Sequence, residues 1–237
     1  MWIPITLLSI AITLTGCSID ATQPVQTGKE SVQPMETEMN KNAQLIEAAE
    51  KGDNAAVERL LASGADINAT DGRGRTAAMA ATHGNKPETL RLLIAKGADL
   101  NIRDQRSDNP LLYAGAEGLL DIVKIAVEAK ADTKLTNRYG GVAIIPASER
   151  GHVEVVKELL EHSDINVNHI NNLGWTALIE AIVLSNGGEK HQQIVRLLIE
   201  HGADVNIPDK DGITPLQHAR SRGYKEIEAM LVQAGAK

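Results

Sequence analysis

Apolar positions between residues 42 and 237 fall into short stripes that return about every 33 residues. In Val153–Glu161, residues Val155, Val156, Leu159 and Leu160 share one side of a helix and polar residues take the other, the pattern of a helix laid on a neighbouring layer. The same stripe sits in four recurring phrases: RLLASGADIN (59–68), RLLIAKGADLN (91–101), KELLEHSDINVN (157–168) and RLLIEHGADVN (196–206). A second phrase precedes each helix pair, as Thr76-Ala77-Ala78-Met79, Asn109-Pro110-Leu111-Leu112, Thr176-Ala177-Leu178-Ile179 and Thr214-Pro215-Leu216-Gln217. Aligning the small residue of each first helix gives Ala48, Ala81, Ala114, Ala147, Ala181 and Ala219, with spacings of 33, 33, 33, 34 and 38. Each unit therefore predicts two short helices. Thr or Asn caps the first, and Pro next to it is tolerated because its N–H would be free anyway. Gly52, Asn85, Gly118, Gly151 and Gly223 then supply left-handed turns. The second helix ends at Gly-Ala-Asp, where a hairpin-like loop begins. Units of this kind touch only their neighbours, so stability accumulates along the stack.

The first 40 residues follow a different pattern. Ile3 to Leu14 is nearly all apolar, and no Asp, Glu, Lys or Arg appears before Asp20. That run is short of the roughly 20 residues a bilayer span needs and reads as the core of a secretory signal, residues 1–16. Its end, Leu14-Thr15-Gly16-Cys17, resembles the bacterial lipobox, which implies cleavage before Cys17 and lipidation of that residue. The n-region departs from the pattern in having no Lys or Arg. Ser18 in the next position implies, by the same resemblance, sorting to the outer membrane, with the folded part facing the periplasm. Residues 18–40 are polar, contain Pro24 and Pro34 and show no hydrophobic period, so 17–41 are read as a lipidated, flexible tether.

The 33-residue period and the Thr-Pro-Leu phrase resemble the ankyrin repeat over residues 42–237. The implied fold is an all-α repeat solenoid, a stack of six helix-turn-helix units joined by β-hairpin-like loops, with units at about 42–70, 71–103, 104–136, 137–170, 171–208 and 209–237. Three departures stand out. The family's His in Thr-Pro-Leu-His is replaced by Ile46, Met79, Leu112, Ile145, Ile179 and Gln217, from which less firmly tied turns are expected. The fourth unit has Val142 in the Thr position and Pro146 in its first helix, which either kinks that helix or starts it late. The fifth unit carries five extra residues within Leu184–His191, expected at the helix–helix end, away from the hairpin tips.

Composition narrows what such a stack can do. The 237 residues carry 24 Lys+Arg against 31 Asp+Glu, a net charge of −7, which argues against binding nucleic acid through phosphate neutralisation. With aromatics at 2%, no Phe, 2 Trp and 3 Tyr, a base-stacking surface is hard to build. Cys17 stands alone, so no intramolecular disulfide exists. His152 and His201 fill positions the repeat uses structurally, His162 matches His201, and His83, His169, His191 and His218 lie isolated in different units. No metal-ligand spacing, nucleophile elbow or phosphate-binding glycine loop is present, so neither enzyme activity, metal nor cofactor is expected.

A binding surface remains. The family resemblance implies a concave face made of hairpin tips and first helices. The tip candidates for partner binding are Arg73, Arg75, Arg103, Arg106, Arg138, Tyr139, Trp175 and Lys210, beside Gln105, His169 and Asn172. Arg forks suit carboxylates, and Arg, Tyr and Trp are frequent at binding hot spots. The inner-helix candidates Glu50, Lys51, His83, Glu117, Glu149, Arg150 and Arg222 are mixed in sign. The resulting expectation is a monomeric, lipid-anchored envelope protein that binds another protein as scaffold, accessory or immunity-type inhibitor. The alternative is a structural component that contacts cell wall or anionic lipid without a specific protein partner.

Overall fold

The computed structural model describes residues 33–237, with side chains from residue 40 onward. The signal segment 1–16, the lipidation site Cys17 and the tether up to residue 32 lie outside the described residues. Twelve helices and no strand are found among those described, paired into six units. The pairs are α1 (Gln33–Lys51) with α2 (Asn54–Ala62), α3 (Ala77–His83) with α4 (Pro87–Ala95), and α5 (Pro110–Glu117) with α6 (Leu120–Glu128). They continue as α7 (Ile144–Glu149) with α8 (Val153–His162), α9 (Ala177–Val183) with α10 (Glu189–Glu200), and α11 (Pro215–Arg222) with α12 (Lys225–Gln233). Among the described residues no helix is long and apolar enough to cross a membrane.

First helices pack in one row, α1 on α3 on α5 on α7 on α9 on α11, and the second helices from α4 to α12 form another. The first row alternates small residues with large ones, and Leu45, Met79, Leu111, Ile144, Leu178, Ile179 and Ile182 are fully buried in it. Ala77, Ala78, Ala80 and Ala81 of α3 are fully buried, as are Ala114, Ala147, Ala177, Ala181 and Ala219 at corresponding depths. The second row supplies bulk through Leu90, Leu93, Ile122, Val123, Val156, Leu159, Ile194, Val195, Leu198, Ile227 and Leu231, all buried. One apolar cluster thus runs the length of the stack. Leu, Ile, Val and Ala fill such thin layers, which is why the chain does without large rings.

Caps fall where the sequence places them. The side chains of Thr76, Asn109, Thr176 and Thr214 accept the N–H of Met79, Leu112, Ile179 and Gln217. Gly52, Asn85, Gly118, Gly151 and Gly223 all have positive φ, between 48° and 81°. In the fourth unit Val142 offers no cap, and α7 starts at Ile144 and spans only six residues. Pro146 is its third residue, inside the first turn where its missing N–H is no loss. A late start, and not a kink, is the outcome.

The hairpin-like loops are tied more firmly than the loss of the family's His implies. Asp71, Asp104, Asn137, Asn171 and Asp209 each turn one side-chain oxygen onto two backbone N–H groups, two and four residues on. Each also donates its own N–H to the carbonyl four residues on, as from Asp71 to Arg75 at 3.0 Å. This Asx closure needs no histidine and corrects the expectation of loose turns. A second ladder joins units: Asn68, Asn101, Asn168 and Asn206 accept the N–H of Asp99, Asp132, Asp204 and Lys237 in the following unit. Where Lys134 takes the Asn place, the Thr133 hydroxyl donates to Asp164 at 2.7 Å instead.

Two segments differ from expectation in extent. Residues 33–41, read as the end of a flexible tether, belong to α1. The run from Met35 to Gln44 is rich in Met, Glu, Lys and Gln, good helix formers, and Pro34 falls in the first turn. The fifth-unit insertion lengthens α10 to twelve residues and leaves a loop at 184–188. That loop is pinned by the next unit, because the Tyr224 hydroxyl donates to the Ser185 carbonyl at 2.7 Å. His152 and Tyr224 stand just ahead of their second helices and His191 in the first turn of α10, and each reaches back to a carbonyl of the preceding unit. His152 bonds the Ala116 carbonyl and His191 the Glu149 carbonyl, so His191 is a structural link between units.

Close approach between units is tested at Gly84, where an added Cβ would lie 2.1 Å from the Glu50 carbonyl oxygen. The backbone there is ordinary right-handed helix, φ −73°, so any effect reports contact and not strain. Gly84→Ala is expected to lower stability by about 1–3 kcal/mol, read from the urea midpoint. An unchanged midpoint would show that the first two units are not packed this closely.

Candidate functional site

An open groove of about 610 Å³ lies between the tips and the first helices of units two to five. Its tip side is formed by Arg106, Arg138, Tyr139 and Leu173, and its helix side by His83, Tyr113, Glu117, Pro146, Glu149, Arg150 and Glu180. Tyr139, Leu173 and Leu184 are about half exposed there, a concentration of apolar surface among charges. Leu184 comes from the fifth-unit insertion, which therefore borders the groove although it lies at the helix end.

The eight tip candidates separate into distinct environments. Arg106, Arg138 and Tyr139 line the groove together. The Arg138 guanidinium stands 4.5 Å from the centre of the Tyr139 ring and donates to its hydroxyl at 2.9 Å. Arg106 approaches Asp108 only to 3.9 Å. Arg75 is instead a strut: it donates to Asp71 at 2.8 Å and to Glu50 of α1 at 3.1 Å, with 14% of its side chain exposed. Arg103 donates to the Thr136 carbonyl of the next unit at 3.1 Å. The Lys210 ammonium bonds the Asn172 carbonyl one tip back. Trp175 is half-buried and closes its own turn onto Asn171, outside the groove lining. Arg73 is exposed, and its carbonyl receives the Gln105 N–H that joins two tips.

The remaining candidates follow the same division. His169 bonds the Gly140 carbonyl at 2.7 Å. His83 lies against the Tyr113 ring, centroids 4.0 Å apart, and burial followed by the charge of Arg75 pushes its pKa down. It is neutral at pH 7. Arg150 donates to Glu117 at 2.7 Å and to the Ala116 carbonyl at 2.8 Å. Arg222 turns to the Val183 carbonyl and to His218, which bonds Asp209 at 2.7 Å. No group of three or more His, Cys, Asp or Glu side chains able to hold a metal occurs among the described residues.

Three groove residues carry more weight than the sequence analysis attached to them. Tyr113, Pro146 and Glu180 each stand directly ahead of the aligned alanines Ala114, Ala147 and Ala181, so one repeat position lines the groove floor in three successive units. The sequence held that signal, since this position is Tyr, Pro, Glu and then His218, while its neighbours are apolar in the first three of these units. Glu180 is only 5% exposed. Burial, reinforced by the charge of Glu149, raises its pKa to about 7 despite the hydrogen bond donated by Asn171. Burial also raises Asp108, with Asp104 adding to it.

A stack of this construction is a protein-interaction scaffold of the repeat type. The sequence model described as Ankyrin repeats (3 copies) matches residues 45–137, 115–209 and 144–237, and the chain belongs to the ankyrin-repeat family. It is 58% identical over 79 residues to the ankyrin repeat protein YahD of Escherichia coli K12, covering 33% of this chain and 39% of that one. Protein phosphatase 1 regulatory subunit 27 of Mus musculus is 36% identical over 72 residues, 30% of this chain and 44% of that protein. The chain thus spans under half the length of both curated relatives. A crystal structure of an ankyrin repeat domain from Acinetobacter baumannii AYE superposes with TM-score 0.79 at 53% identity, covering 81% of this chain and 98% of that one. Ankyrin stacks are typically non-catalytic.

The groove carboxyl gives a pH signature. Glu180 holds its proton up to about 7 when folded, against 4.5 for a free glutamate, so between those values the folded chain carries the extra proton. Its contribution to stability is therefore greatest below the free value and is lost as pH rises toward about 7. Glu180→Gln is expected to remove this fall and to be more stable than the parent at about pH 8 by on the order of 2 kcal/mol. Urea titrations of both chains across that window check it.

Proposed function

We propose that the chain is an envelope-anchored periplasmic module that captures another protein in its concave groove, acting as scaffold, accessory or immunity-type inhibitor. One observation carries this reading: Arg106, Arg138 and Tyr139 from two successive tips meet Tyr113, Glu149 and Glu180 from three first helices in one open groove. Mixed charge around exposed apolar side chains suits a folded or extended polypeptide, which presents both kinds of group. Contact with an anionic wall or lipid surface through basic tips alone fits less well. Arg75, Arg103 and Lys210 are held by hydrogen bonds within the stack, and the groove lining carries four carboxyl groups, Asp108, Glu117, Glu149 and Glu180, against the three arginines Arg106, Arg138 and Arg150. A relative named as a regulatory subunit of a phosphatase agrees with a role exercised on another protein. The location rests on the lipobox resemblance at Leu14-Thr15-Gly16-Cys17.

Two measurements test the proposal. Tagged chain purified from gently solubilised envelopes is expected to bring down one stoichiometric protein, lost when Arg106 and Arg138 are both changed to Glu. An Arg73→Glu control should keep it, because Arg73 does not line the groove. Equal capture by all three, or capture by none, would defeat the groove reading. Separately, the intact mass of the mature chain should lack residues 1–16 and carry acyl groups on Cys17, and Cys17→Ser should abolish membrane association; an unmodified full-length chain would defeat the anchoring.

A further inference from the structure

The floor of the groove contains a carboxyl group that no cation of the stack pairs with among the described residues. Glu180 Oε1 accepts from Asn171 Nδ2 at 2.7 Å, no hydrogen bond to Oε2 is found among the described residues, and the residue lines the groove. The side chain is nonetheless 95% buried, being 5% exposed. Glu149, one helix back, adds a second carboxylate to the same lining. No cation on the elements packed against α9 pairs with Glu180 among the described residues: Lys190 and Arg196 of α10 lie exposed outside the groove lining, and Arg220 of α11 pairs with Glu228. On α7, Arg150 is drawn to Glu117; on α11, Arg222 is drawn to the Val183 carbonyl and His218 to Asp209; on α10, His191 is drawn to the Glu149 carbonyl. At the tips, Arg138 lies over Tyr139 and Arg106 sits beside Asp108.

We propose that this site takes the ammonium or guanidinium group of a lysine or arginine side chain of the partner. The cation would bond Glu180 Oε2, share the charge of Glu149, and lie over Pro146 between Tyr113 and Tyr139. A charged donor to a carboxylate sheltered from water makes a short, strong hydrogen bond. Aromatic faces next to it add cation–π attraction. Pro146 makes room, since its short ring stands where the neighbouring units place a tyrosine and a glutamate. The rim arginines then donate to carboxylates flanking that basic residue, so the partner segment carries a cation with acidic neighbours. Binding strengthens as pH rises, because Glu180 takes up the cation in its ionised form and its pKa near 7 places the change at neutral pH. This inference rests on the protein-binding reading of the groove.

The test uses n-butylammonium chloride and the full chain labelled at glutamate carboxyl carbons and tyrosine rings, observed by NMR. At about pH 8 the amine is expected to shift Glu180, Tyr113 and Tyr139 saturably, and to lower the Glu180 midpoint measured in a parallel titration. Sodium chloride and 1-butanol at equal concentration should not. Glu180→Gln should weaken the response by about tenfold or more while leaving the remaining spectrum native. No saturable shift, an equal response to butanol, or an undiminished response in Glu180→Gln would overturn the inference. Partner capture that survives Glu180→Gln unchanged would overturn it too and leave the protein-binding reading standing. Amine binding without any partner capture would instead defeat the protein-binding reading, and with it the claim that the cation is a side chain.

Discussion

Close contact between alanine-faced first helices is the constraint on which the rest of the structure depends. Ala77, Ala80 and Ala81 leave only methyl groups between neighbouring units, and Gly84 admits the Glu50 carbonyl into the space a Cβ would need. The groove lies along the side that these first helices share with the hairpin tips. Substituting larger residues in the first row would therefore change both stability and the shape presented to a partner.

Backbone polar groups set the second condition. Each loop between units leaves N–H and C=O groups that no helix or sheet pairs, and the chain answers with a side-chain oxygen placed at fixed intervals. Asp71, Asp104, Asn137, Asn171 and Asp209 close their own turns. Asn68, Asn101, Asn168 and Asn206 hold the next unit. These bonds explain why Asp and Asn recur in the Gly-Ala-Asp-x-Asn phrase. They also account for several tip cations: Arg75 and Lys210 brace turns already formed, so their charge is tied to the fold before any partner arrives.

The groove inherits its character from one repeat position. Ahead of the buried alanine, successive units place Tyr113, Pro146, Glu180 and His218, and the first three line the groove. His218 finds Asp209 and is satisfied. Glu180 finds only the neutral amide of Asn171 and remains half-satisfied beside Glu149. An ionisable group held this way costs stability in the free protein and is the kind of strain that a binding site can use.

The period of 33, the cap phrases and the apolar stripes determined the fold without help, because each unit repeats the same local chemistry and contacts only its neighbours. The late start of α7 was one of two outcomes that Val142 and Pro146 allowed. The helical state of residues 33–41 was hidden by their polarity, which a solvated helix and a tether share. The candidate site was legible only in part. Arg106, Arg138 and Tyr139 were visible as tip residues, but so were Arg75, Arg103 and Lys210, and sequence position does not say whether a guanidinium faces solvent or a carbonyl in the next unit. That is decided by distances across units, such as Arg103 to Thr136 or Arg75 to Glu50. Glu180 became a site for the same reason: its neighbours in space, Glu149 and Asn171, are set by stacking, and only stacking removes the water that would otherwise have kept it an ordinary carboxylate.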